Sequence, residues 1–214
     1  MDNAAILTGD LIDSTKAGPD QVRQAMEVIK VTAQTEIGKW FKGPGTRFTR
    51  FRGDGWQVVV CPANLAPRAA LLIGARLRAA RLGLISRISI GFGRIDDWGT
   101  DDLSSAAGPA LVASGHGLDA IRIGKRLSIA GENLDPRDKI IMDLLEAISD
   151  GWTPEQAEAL AMDLHPDRIF TQLQIAGTLG ISRQAVNYRL YGAKSQLIKA
   201  SLRAWEENMQ SRGF

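Results

Sequence analysis

The stretch from Leu173 to Leu190 reads as two helices rather than one. Gly180 stands in its middle, and glycine adopts the left-handed turn conformation that a side chain with a Cβ resists. Ser182 follows two residues later, with a hydroxyl suited to accept from the free amides at the start of a new helix. Ile181, between them, plugs the angle. The sequence therefore predicts two short helices meeting at a sharp turn. Leu173, Ile175, Ala176 and Leu179 give the first helix its buried face, and Ala176 is small where the second must cross. Ala185, Val186 and Leu190 face inward on the second helix. Arg183, Gln184, Asn187, Tyr188 and Arg189 then face outward.

That outward set suits double-stranded DNA. Gln and Asn bond adenine at two places, and Arg does the same to guanine. Arg189 and Lys194 suit phosphate. From Arg168 to Trp205 there are six basic side chains and no acid, a charge balance that favours phosphates. The pattern Ile175-Ala176-x-x-Leu179-Gly180-Ile181-Ser182-x-x-x-Val186 resembles the plain and winged helix-turn-helix units of bacterial regulators. The resemblance implies a DNA-binding transcription regulator, with Ser182, Arg183, Gln184, Asn187, Tyr188, Arg189 and Lys194 at the DNA. A helical hairpin used only for packing or protein contact fits the same residues. A solvated face fits the basic run.

The chain has 214 residues, 44% apolar and 23% charged, which allows one large domain or a medium one plus a small one. Cys61 is alone, so no internal disulfide is expected. With only His116 and His165 beside it, a closed Cys/His zinc site is not expected either. A reducing cytoplasm fits this usage. MDNAAILTGD has no basic region and no long apolar run, so it does not read as a signal peptide. The richest apolar run, Ala69 to Ala80, is broken by Arg76 and Arg78, so no membrane span is expected. A net charge of +2 points to no partner by itself.

Ahead of the helix pair, strands and helices alternate. Ala4 to Gly9 reads as a buried strand. Pro19 opens a long helix whose inner face is Val22, Met26, Ile29, Ala33, Ile37 and Trp40. Gly43-Pro44-Gly45 ends it with a turn. Thr46 to Arg52 and Trp56 to Cys61 form strands around a hairpin at Gly53-Asp54-Gly55. Leu65 to Leu82 is a helix ended by Gly83. Ser86 to Ile95 is a strand with Ile88, Ile90, Phe92 and Arg94 on one face. Ala106 to Lys125 is a weak helix, and Leu127 to Ala130 a last strand.

Gly131 to Arg137 reads as a linker, and the pattern beyond it is helical. Ile140, Ile141, Leu144, Leu145 and Ile148 form one apolar face. Thr153 caps a second helix that begins at Pro154. Ile198, Leu202, Trp205 and Met209 stripe the last helix, which either closes the small domain's core or forms a dimer contact. The expected class is α+β: a mixed domain over residues 1–133, then an all-helical one over residues 138–214.

In the front part, Asp10 follows the first strand and Asp54 sits at the hairpin tip. Two carboxylates at the ends of adjacent strands suit Mg²⁺, and the amides after Asp10 suit a triphosphate. Gly-Asp pairs are also ordinary turn residues. Asp10-Leu11-Ile12-x-Ser14-Thr15, Arg50-Phe51-Arg52-Gly53-Asp54-Gly55, Arg87-Ile88-Ser89-Ile90-Gly91-Phe92-Gly93 and Gly108-Pro109-Ala110-Leu111-Val112 occur in the order seen in class III nucleotide cyclases. The stretch 4–130 resembles that catalytic domain, and resembles its diverged bacterial SatD-like relatives still more. The resemblance implies a ferredoxin-like βαββαβ core and a head-to-tail homodimer with nucleotide at the interface. It implies Mg²⁺ on Asp10 and Asp54, and nucleotide at Leu11, Ile12, Asp13, Ser14, Thr15 and Arg50. It also places Val112 and His116 where cyclases use a transition-state asparagine and a phosphate-binding arginine. Valine cannot orient a ribose, and histidine is only partly charged at pH 7. The expectation is a degenerate domain with no catalytic residue, which senses a nucleotide or only dimerises. The alternative is an active cyclase carrying a DNA-binding domain.

Overall fold

The computed structural model describes residues 4–40, 46–100 and 102–214. The turn expected at Gly43-Pro44-Gly45 lies outside them. The described chain is mixed α+β, with a five-stranded sheet and eight α-helices. None of those helices is long and apolar enough to cross a membrane.

The sheet comprises β1 (Ala5–Leu11), β2 (Phe48–Phe51), β3 (Gly55–Val60), β4 (Ser86–Phe92) and β5 (Leu127–Gly131), in the order β2-β3-β1-β4-β5. Neighbours are antiparallel except β4 and β5, which are parallel. The central β1 is covered on both faces, which is why it reads as a continuous apolar run. Its far end sets Asp10 opposite Gly55 on one side and Arg87 on the other.

One face of the sheet packs under α1 (Pro19–Val31) and α2 (Ala66–Ala79), burying Leu7, Val58 and Ile90. The long helix expected through Trp40 changes pitch after α1. A π turn covers Thr32–Glu36 and a 3₁₀ turn Ile37–Trp40, yet Ala33, Ile37 and Trp40 stay buried. The other face lies under α3 (Pro109–Asp119). A Cβ on Gly91 would stand 2.2 Å from the Ala110 carbonyl oxygen, so glycine is what lets α3 lie on the strand. The Thr8 and Ser114 hydroxyls meet there at 2.7 Å. The strand expected through Ile95 stops at Phe92, and Arg94 leaves the sheet to pair with Asp96.

Five helices follow: α4 (Pro136–Asp150), α5 (Pro154–Asp163), α6 (Gln172–Leu179), α7 (Arg183–Gly192) and α8 (Ser195–Ser211). Thr153 caps α5 as its sequence predicts, accepting from the Gln156 amide. The apolar face expected on α4 is rotated. Met142 and Leu145 are buried, whereas Ile140 and Leu144 are more than half exposed. The cause is polar. Glu146 accepts from the Arg126 and Leu127 amides at 2.8 and 3.1 Å, and Asp143 and Asp150 pair with Lys125 and Arg126. These bonds turn the helix so that its carboxylates cover the start of edge strand β5.

The helical segment shares its core with the sheet. The stripe on α8 is buried, and the Trp205 ring lies 6.1 Å from that of Phe92 on β4. Phe214 meets the same Phe92 edge-on at 5.5 Å. Arg68 on α2, 4% exposed in its side chain, makes two bonds to Glu206 on α8, at 2.7 and 2.9 Å. Its third contact is the Leu164 carbonyl at 3.2 Å, just past α5. Arg212 pairs with Asp135 and the buried Asp138, tying down the stretch expected as a linker.

One cooperative urea transition is therefore expected, with tryptophan fluorescence and far-UV circular dichroism superimposing. Glu206→Ala leaves a buried guanidinium unpaired and lowers the unfolding free energy by about 3–5 kcal/mol. Separated transitions, or a loss near zero, would show that the bridge does not join the two segments.

Candidate functional site

The helix pair is built from local signals. Thr171 caps α6 by accepting from the Gln174 amide, and Gln174 returns a bond to the Thr171 amide. Gly180 ends α6 at φ 65°, ψ 31°, and the Ile181 amide closes back on the Ala176 carbonyl. The Ser182 hydroxyl accepts from the Ala185 amide and starts α7. Ile175, Ala176 and Val186 are buried against Ala159 of α5.

Most of the expected outward set is outward. Ser182, Arg183, Gln184, Asn187 and Tyr188 are exposed, Tyr188 to 74%. Lys194 is exposed too, its ammonium 5.2 Å from the centre of the Tyr191 ring. Two residues depart from expectation. Leu173 is exposed, because two residues of helix, about 200° of rotation, separate it from the buried Ile175. Arg189 turns back onto α5 and pairs with Glu158 at 2.7 Å. It stands three residues after the buried Val186, close to the inward face. Lys199 is likewise paired with Asp163, at 2.7 Å. The acids that neutralise these cations lie on α5, upstream of the acid-free run.

The sequence reading missed Gln172. Its amide nitrogen donates to Asn187 Oδ1 at 3.0 Å, and its Oε1 accepts from Arg183 Nε at 3.4 Å. Three long polar side chains thus lie together across α6 and α7. The capping box at Thr171 was the available signal, since it places Gln172 in the first turn of α6.

The second candidate is the Asp10 end of the sheet. Leu11 is buried as the last residue of β1. The next turn is partly self-satisfied: the Ile12 amide donates to the Ile85 carbonyl, and those of Lys16 and Ala17 to the Asp13 carbonyl. Asp13 adopts φ 57° and pairs with Lys16. Thr15 is exposed, and the Ser14 hydroxyl donates to Asp54. Arg50 bonds the Gly53 carbonyl at 2.6 Å within its own hairpin.

Arg87, also missed, covers both carboxylate oxygens of Asp10. That hydrogen bonding raises its pKa against a partial desolvation penalty, with help from the charges of Asp10, Asp119 and Asp54. Mg²⁺ therefore fits this donor set poorly: it would have to displace the guanidinium from Asp10, while at Asp54 the Ser14 hydroxyl engages Oδ2. Among the described residues, no three His, Cys, Asp or Glu side chains are grouped to hold a metal ion. Val112 and His116 lie on the exposed face of α3.

No protein-family model matches this chain, and no curated protein matches it.

One titratable group sits in the turn that sets α6. His165 Nδ1 accepts from the Asp167 and Arg168 amides at 3.2 and 2.9 Å, and its ring lies edge-on to Trp40. Burial lowers its pKa; Asp167 and Glu36 favour the charge, whereas Arg168 and Arg68 oppose it. The stability from neutral His165 is complete above the unfolded value near 6.5. It is lost as pH falls from there towards the lower folded value. The melting temperature of the wild type should drop between pH 7.5 and 5.5 more steeply than that of His165→Asn, which keeps an acceptor and cannot titrate. Parallel curves would remove His165 as the cause.

Proposed function

We propose that this chain is a cytoplasmic transcription regulator that reads double-stranded DNA through α7. The carrying observation is the exposed surface of α7: Arg183, Gln184, Asn187 and Tyr188 are all exposed to solvent, while Val186 is buried. This is the chemistry that reads base edges in a major groove. The preceding α6, the left-handed Gly180 and the Ser182 cap support a helix-turn-helix unit. Gln172 joins the DNA-facing set; Arg189 serves instead to seat α7 on α5. Phosphate contact then falls mainly to Lys194.

The sheet part is a degenerate nucleotide-cyclase homology domain in this reading. The antiparallel order β2-β3-β1-β4 supports a ferredoxin-like βαββαβ core, with β5 added in parallel. The Arg87 bonds to Asp10 and the apolar Val112 argue against catalysis. The domain acts as a nucleotide sensor or as the homodimer contact. Two joined copies would hold two α7 helices at half-sites about one DNA turn apart.

Two measurements test this. On a site from the protein's own upstream region, Asn187→Ala and Arg183→Ala should each weaken specific binding by about 1–3 kcal/mol, roughly 5- to 150-fold, without lowering the melting temperature. If neither weakens it, α7 is not the recognition helix. Incubation with ATP or GTP and Mg²⁺ or Mn²⁺ should yield no cyclic nucleotide; clear product would establish the alternative, an active cyclase.

A further inference from the structure

A cavity of about 330 Å³ opens where the sheet part meets the helix pair. Lys39 and Trp40, at the tail of the first helical stretch, line one side. His165, Arg168 and Phe170, in the loop from α5 to α6, line the other. Thr178 and Leu179 close it at the end of α6.

The acids on its walls are already matched. Glu36 accepts from Arg76 at 2.9 and 2.7 Å, and Glu158 accepts from Arg189 at 2.7 Å. The remaining cations are not matched. Among the described residues, neither Lys39 nor Arg168 has a carboxylate partner. The Arg168 guanidinium lies over the Phe170 ring, 4.3 Å from its centre. His165 uses Nδ1 as an acceptor for two amides, so its proton resides on Nε2, a donor. Trp40, Leu72, Met162, Phe170 and Leu179 supply the apolar part of the wall, and Thr35 and Thr178 add hydroxyls.

The exposed cations Lys39 and Arg168, with the His165 donor, suit an anion at the mouth of the cavity, and the Trp40 and Phe170 side chains suit a ring within it. The volume is at the small end of ligand pockets. We propose that this cavity binds a small one- or two-ring aromatic anion, its carboxylate or phosphate held by Arg168 and Lys39. The site is distinct from the Asp10 end of the sheet. Leu179 touches the cavity one residue before the Gly180 turn that aims α7. Resting on the reading of α7 as the DNA-contacting helix, the anion is an effector: its occupancy biases the position of α6, and through the turn that of α7.

Calorimetry at pH 7.5 with 2-naphthoate, 2-naphthyl phosphate and the uncharged 2-naphthamide tests the site without DNA. At least one anion should bind one to one, about tenfold or more tightly than the amide. The two anions distinguish carboxylate from phosphate. The double variant Lys39→Gln, Arg168→Gln should weaken that binding about tenfold, and Thr178→Trp, at the exposed end of α6, should block it by filling the cavity. Equal binding of amide and anions, binding undiminished in both variants, or no binding by any probe overturns the proposal. In the DNA assay the bound anion should change affinity about threefold or more in the wild type and not in the double variant; no change in the wild type overturns the effector role. If calorimetry succeeds but no DNA is bound under any condition, the site stands and the DNA reading falls.

Discussion

Arg68 is held by three acceptor atoms on two residues that lie far along the chain. It takes both oxygens of Glu206 and the carbonyl of Leu164 while almost wholly withdrawn from water. A guanidinium in such a place is costly to bury and is tolerated because its donors are matched in a fixed fork geometry. That match fixes α8 on α2, and with it the Trp205 contact to Phe92. The helix pair hangs between α5 and α8, both of which pack on the sheet part. This buried ion pair, together with the apolar contacts around Trp205, joins the segment carrying the proposed DNA-reading helix to the sheet.

Arg87 has the opposite effect at the other end of the sheet. A cross-strand pair with Asp10 stabilises the end of β1 and β4. It also occupies the carboxylate that a metal-dependent enzyme would need free. Structural and catalytic use of the same aspartate are in competition, and the geometry favours the structural one. The proposed loss of cyclase chemistry thus has two independent supports: what stands on α3 at Val112 and His116, and what already engages Asp10.

Local chemistry was legible from the residues. The strands at Ala5–Leu11 and Gly55–Val60, the cap at Thr153, and the Gly180–Ser182 turn all depend on neighbours a few positions away. Long-range pairing was not. Arg189 counted as a free cation because its acid, Glu158, stands two helices earlier. Arg87 showed nothing until strand register placed it opposite Asp10. The face of α4 was misjudged for a related reason. Counting apolar residues favoured Ile140 and Leu144, but the helix is oriented by carboxylates bonded to the start of β5. Turns and caps obey short-range rules; ion pairs between distant segments obey the fold.

The Arg68–Glu206 bridge spans 138 positions of sequence. During synthesis the first of these residues leaves the ribosome long before the second. Until α8 emerges, Phe92 lacks its aromatic cover and Arg68 lacks its counter-charge. The nascent sheet must therefore persist with an open apolar flank and an unmatched cation, a state prone to wrong partners. The same separation makes the closing step a slow, high-contact-order event. The DNA binding proposed for α7 would then become possible late and all at once, when α8 seals the flank.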